Sequence, residues 1–118
     1  MDEPNYRKLL VWQKAHMNAL SIISLLEKCN SKYSRILDQC IGAATSVGAN
    51  IAEGNSSQSR KRNYFEIALN SSYELDNWVQ VLKDSDHVCS NKKVVLIIEK
   101  ENIEVIKILS TILSNLQS

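Results

Sequence analysis

After Pro4 the chain contains no further proline, and its three glycines, Gly42, Gly48 and Gly54, all fall within one short stretch. A β-sheet protein of this length needs tight turns throughout, and the residues that make them are largely missing. Long, uninterrupted helices are what such a chain can form, and the hydrophobic spacing divides it into four of them.

The first predicted helix covers residues 6–29, with Trp12, Ala15, Ala19, Ile22 and Leu26 recurring at intervals of three and four on one stripe. Leu20 and Ile23 widen that stripe, as expected of a helix facing two neighbours. Asn5 is a candidate cap at its start, and Asn30-Ser31 supplies the stop. The second covers residues 34–52, with Ile36, Cys40, Ala44, Val47 and Ile51 inward and a centre rich in small residues. Gly42 and Gly48 within a helix each cost about 1 kcal/mol relative to alanine. Close packing must offset that cost, or the helix bends.

Gly54 through Ser59 is the clearest break, with Gly54 as a candidate helix-terminating glycine. The third helix spans residues 59–84, its stripe being Tyr64, Ala68, Ser71, Leu75, Trp78 and Leu82, with Phe65, Ser72 and Val79 alongside. A polar stretch around Ser90-Asn91 precedes the fourth, residues 93–116, in which Val95, Ile98, Val105, Leu109, Ile112 and Leu116 face inward and Asn102 interrupts. A second apolar line on this helix, Leu96, Ile103, Ile106 and Leu113, exceeds what one bundle face requires and is expected to meet another subunit. Short connections make successive helices antiparallel, so the expected fold is an all-α, up-down-up-down four-helix bundle in a single domain.

The start of the sequence has neither the basic residues nor the apolar run of a secretory signal, and no segment reaches the roughly 20 apolar residues of a membrane span. A cytoplasmic protein is expected. Cys29, Cys40 and Cys89 are odd in number and far apart in sequence, which argues for free thiols and against a disulfide framework or zinc site.

Site chemistry is sparse. Paired Glu-x-x-His elements of a diiron bundle, phosphate-binding glycine loops, H-E-x-x-H and G-x-S-x-G are all missing, as is the Arg-x(4 to 6)-His pattern of small helical ribonucleases. Neither a metal, a cofactor nor a catalytic residue is expected, and the chain reads as a binding or assembly protein. An enzyme working through Glu53 and Asn50 is the minor alternative. The net charge of +1 excludes a strong polyanion binder acting as one copy. Cations nevertheless cluster at Arg60-Lys61-Arg62, with Arg7, Lys8 and Lys14 on the first helix. An antiparallel bundle brings the starts of helices one and three to one end, where two positive helix dipoles add to the cations. RNA or DNA phosphates are the ligands such an end would take.

Three segments carry a family likeness: Leu10-Val11-Trp12-Gln13-Lys14-Ala15; Gln39 followed by Ala49-Asn50-Ile51-Ala52-Glu53-Gly54; and Ile67 to Leu75, with Ser71 and Glu74. They resemble the four-helix bundle family encoded in intervening sequences of bacterial 23S ribosomal RNA, once labelled S23 ribosomal proteins. The resemblance implies a ring-like homopentamer, related to the accessory subunit of diversity-generating retroelements, which binds nucleic acid and a reverse transcriptase. It marks Trp12, Gln13, Gln39, Asn50, Glu53, Gly54, Ser71, Glu74 and Leu75 as structural or interface positions. The expected function is thus a non-enzymatic homo-oligomer, acting as an accessory or scaffolding protein on RNA or DNA; the alternative is a protein-interaction adaptor.

Overall fold

A computed structural model describes residues 3–116 of the chain. Four helices, α1 (Leu10–Leu26), α2 (Ser34–Asn55), α3 (Lys61–Asp84) and α4 (Lys92–Asn115), form the predicted all-α bundle. Each packs on its neighbour in sequence, and α4 closes the ring against α1. The longest helices, about 36 Å at 1.5 Å per residue, set the 44 Å long axis.

The first helix departs from expectation at both ends. Asn5–Lys8 is a separate 3₁₀ turn, and Leu9 between it and α1 is extended, with φ −74° and ψ 128°. Asn5 caps nothing; Pro4 and Leu9 hold the two N-terminal positions, and neither helix has a side-chain cap. Packing overrides helix propensity here. Leu9 lies against the core formed by Val11, Ile51 and Phe65, while Tyr6 sets its ring edge-on to Trp12 at 5.0 Å. Gln13 then holds the turn in place by donating from Nε2 to the Arg7 carbonyl at 2.8 Å. At the other end α1 stops at Leu26, so Cys29 is outside it. Asn30 is therefore not the stop of α1 but the cap of the following 3₁₀ turn, Ser31–Tyr33: its side chain accepts from the Lys32 amide, and both its backbone and side-chain nitrogens donate to carbonyls of the α3–α4 connection.

The second helix runs three residues beyond its predicted end, with Gly54 inside its last turn and no residue in the left-handed region. Gly54 is required for space: a Cβ there would stand 2.6 Å from the Phe65 ring. A Cβ on Gly48 would stand 3.4 Å from Trp12 Nε1, an ordinary contact, and one on Gly42 would meet nothing within 4 Å, so neither helical glycine is required for space as Gly54 is. The third helix begins two residues later than predicted, and the fourth begins at Lys92, where Asn91 accepts from the Val94 amide. The β-branched run Val94 to Ile98 is helical.

Two apolar clusters fill the bundle. One gathers Val11, Val47, Ile51, Phe65, Val105 and Leu109 near the α1 start. The other gathers Ile22, Leu25, Cys40, Val79, Leu82 and Ile98 at the opposite end. Between them lie buried Asn18, Ser72 and Asn102. Asn102 Nδ2 donates to the Ser72 carbonyl at 2.8 Å and Asn18 Nδ2 to the Ile98 carbonyl at 3.3 Å. A fully bonded polar layer between apolar ones disfavours sliding of one helix along another, since any slip would leave these amides unpaired.

The inward stripes need adjustment. Leu20 and Ile23 are exposed, and the α1 stripe is instead completed by Val11 and Leu25. On α3 the centre is Phe65, Ala68, Ser72, Leu75, Val79 and Leu82, so Tyr64, Ser71 and Trp78 sit half-buried at its edge. Of the second α4 line, Leu96 and Ile103 are exposed, whereas Leu113 joins the core near the α1 start.

Candidate nucleic-acid interface

The antiparallel order places the α1 start, the α2 end, the α3 start and the α4 end together. Tyr6 and Asn5 share a hollow with Ala52, Asn55 and Ser56 at the end of α2. Lys61 and Arg62 share another with Asn115 and Leu116. Arg7, Lys8, Arg60, Lys61 and Arg62 therefore belong to one end of the bundle, as the topology predicted.

Lys14 does not join them. It lies on the α1–α4 seam, where its Nζ is 3.5 Å from the Glu101 carboxylate. Arg62 is partly committed as well. Its Nη2 donates to the Leu116 carbonyl at 2.7 Å, and Nη1 is 3.7 Å from Glu66. Lys61 stands over the Phe65 ring at 5.7 Å and Arg7 over the Tyr6 ring at 5.8 Å. Arg7, Lys8 and Arg60 are exposed, and the acids at this end include Glu3, whose charge acts on Arg7, with Glu53 and Glu66. The expected gain from helix dipoles needs correction. Two helix C-termini share the end with two N-termini, so the dipoles largely cancel, and one of those C-termini is what Arg62 neutralises. The field here comes from side-chain cations.

The positions of the family likeness divide into packing and surface. Leu75 is core, and Gly54 admits Phe65. Ser71 and Ser46 share a hydrogen bond of 2.9 Å across α2 and α3, and Asn50 Nδ2 donates to the Ser46 carbonyl at 2.8 Å and its hydroxyl at 3.0 Å. Gln39, Glu53 and Glu74 are exposed; Glu74 accepts from the Trp78 indole at 3.2 Å. Asn50 is engaged in the α2–α3 seam, while Glu53 is exposed in the last turn of α2. Among the described residues no group of three His, Cys, Asp or Glu is arranged to hold a metal ion.

Two features escaped the sequence. All three cysteines, distant in the chain, meet in one apolar cluster. Burial pushes the Cys29 and Cys40 thiols up to about 12, with proximity to Cys89 adding to both. They are therefore neutral thiols at physiological pH, poorly suited to nucleophilic work. The second feature is the α1–α4 seam, which is open. Two grooves of about 350 and 290 Å³ run along it, lined among others by Met17, Leu20, Val94 and Ile97. Met17 is 61% and Ile97 54% exposed, so this apolar surface is larger than the α4 line alone.

No helix among the described residues is long and apolar enough to cross a membrane. No curated protein matches the chain. A crystal structure of a protein of unknown function from the S23 ribosomal protein family of Bacteroides thetaiotaomicron superposes on it with a TM-score of 0.77 and 25% identity, covering 90% of this chain and 100% of that one. The sequence profile of the 23S rRNA-intervening sequence proteins matches residues 7–111. Four antiparallel helices, the motif-bearing α2–α3 seam and that match together make the chain a member of the 23S rRNA-intervening sequence protein family.

Proposed function

We propose that the protein is a non-enzymatic, cytoplasmic accessory or scaffolding protein that assembles with copies of itself, as a pentamer, and presents repeated basic ends to RNA or DNA. The observation that carries this reading is the convergence of Arg7, Lys8, Arg60, Lys61 and Arg62 on one end of a chain whose net charge is only +1. One copy binds phosphates weakly. Several copies joined in one ring raise the effective concentration of each further contact, so modest ends bind cooperatively.

Assembly is supported by the exposed apolar side chains of α1 and α4, since a monomer gains nothing by displaying Met17, Leu20, Leu96 and Ile97 to water. Electrophoretic mobility shift at low and at physiological salt tests the binding half. The expected result is a shift at low salt that weakens steeply as salt rises; no shift at low salt removes the reading.

A second reading rests on the same open seam: the α1–α4 groove receives a helix of another protein, such as a reverse transcriptase, in the manner of an adaptor. Partner retention that resists nuclease and high salt would favour it.

A further inference from the structure

The 3₁₀ turn and the first two turns of α1 build a continuous run of rings and cations. Arg7 stands over Tyr6, Tyr6 meets Trp12 edge-on at 5.0 Å, and Trp12 stacks on His16 with centroids 4.6 Å apart and planes 12° from parallel. His16 is exposed, so the stack ends in a free ring face. Beside it, between α1 and α2, lies a hollow of about 130 Å³ lined by Trp12, His16, Ala19, Thr45, Gly48 and Ala49 among others. That is the volume of about four waters, which is room for one flat heterocycle and too little for a sugar and phosphate as well.

A Trp–His pair one turn apart is by itself an ordinary helix-surface contact. Two further observations point outward. Trp78 donates its indole N–H to Glu74, but the Trp12 N–H has no acceptor among the described residues, although it is not buried. Trp12 and Gly48 both line the hollow, and a Cβ on Gly48 would stand 3.4 Å from the Trp12 indole nitrogen. A ring face, an unused donor and adjacent cations are the components with which proteins hold unpaired bases.

We propose that this hollow takes one unpaired base of a single-stranded nucleic acid, stacked against the Trp12–His16 pair, with Arg7 and Lys8 holding the adjoining phosphates. The site rests on the nucleic-acid reading above and sharpens it: the basic end attracts any polyanion, and the ring stack selects strands with accessible bases. A duplex, whose bases are already stacked, gains only the phosphate contacts.

The test uses the full chain carrying Trp78→Phe, which leaves Trp12 as its sole indole, titrated with a twelve-nucleotide oligouridine and with a blunt duplex of equal length. The expected result is quenching of Trp12 emission by the single strand alone. His16→Ala and Ala49→Leu, both exposed positions, should weaken single-strand binding about tenfold while changing duplex binding less than twofold. His16→Phe, which keeps a ring without the imidazole nitrogens, should retain the affinity, separating stacking from charge. Mobility shift reads the parent claim separately. A single strand that shifts the protein while Trp12 emission and the His16→Ala affinity stay unchanged overturns the base site and spares the basic end. Failure of every nucleic acid to shift the protein overturns both.

Discussion

A Cβ on residue 54 would stand 2.6 Å from Cδ1 of Phe65, closer than real packing permits. Phe65 is itself only 1% exposed, so it has little freedom to withdraw. The glycine that reads in sequence as a helix terminator is therefore a steric requirement of the α2–α3 crossing. Gly54→Ala gains about 1 kcal/mol of helix propensity but incurs an overpacking cost of about 1–3 kcal/mol. The net effect expected is a loss, seen in thermal unfolding as a melting temperature lower by several degrees. An unchanged or raised melting temperature would show that the ring yields.

Asn102 is 1% exposed and donates to the Ser72 carbonyl at 2.8 Å, inside the polar layer that separates the two cores. Asn102→Asp keeps the shape, removes the donor and buries a charge. It should destabilise the protein by about 3–5 kcal/mol at neutral pH. Burial raises the pKa of such an acid, so the protonated form can again donate to Ser72. Chemical denaturation should find the variant closer to wild type at pH 4 than at pH 7.

Gln80 and then Lys83 hold the Glu99 carboxyl below the usual carboxylate range, against the opposing effect of burial. A lowered folded pKa means that this contribution is complete above the ordinary glutamate value and is lost as pH falls through the folded one. Lys83 and Glu99 side chains are 38% and 17% exposed. Solvent screening keeps the contribution below about 1 kcal/mol. Glu99→Gln should therefore lower stability slightly at pH 7, and denaturation curves of the two proteins should converge on the acid side.

Four helices were legible in the spacing because each inward stripe keeps its 3.6-residue period through most of a helix. The common end of Arg7 and Arg60 was legible too, because antiparallel order alone dictates it. What was not legible depends on distant partners. The break at Leu9 follows from where Tyr6 and Leu9 find their contacts on α1 and α2, and nothing local marks it. Leu20 looked inward because it adjoins Ala19, yet α4 leaves that side of α1 open. Lys14 looked like a free cation because Glu101 lies 87 positions away in sequence. The hollow beside His16 needs α2 to present Gly48 and Ala49 opposite it, a pairing that no period reveals.

Charge reversal at the basic end separates attraction to phosphate from packing. Arg60 is exposed and Lys61 partly so, and neither forms an ion pair among the described residues. Arg60→Glu with Lys61→Glu should leave the helical circular dichroism unchanged. In fluorescence anisotropy titrations with a labelled single strand, each copy that loses two phosphate contacts should flatten the dependence of log affinity on log salt by about 1.4. An unaltered salt slope would place the binding surface elsewhere.

Binding of nucleic acid depends most heavily on assembly, because a chain of net charge +1 binds polyanions usefully only in several copies. Light scattering of the purified protein at micromolar concentration measures this directly. The predicted result is a single species of about five times the 13.3 kDa chain mass, and Met17→Lys with Ile97→Lys, which place charge on the open α1–α4 seam, should break it down. A wild-type protein that stays at 13.3 kDa throughout the concentration range would contradict the account.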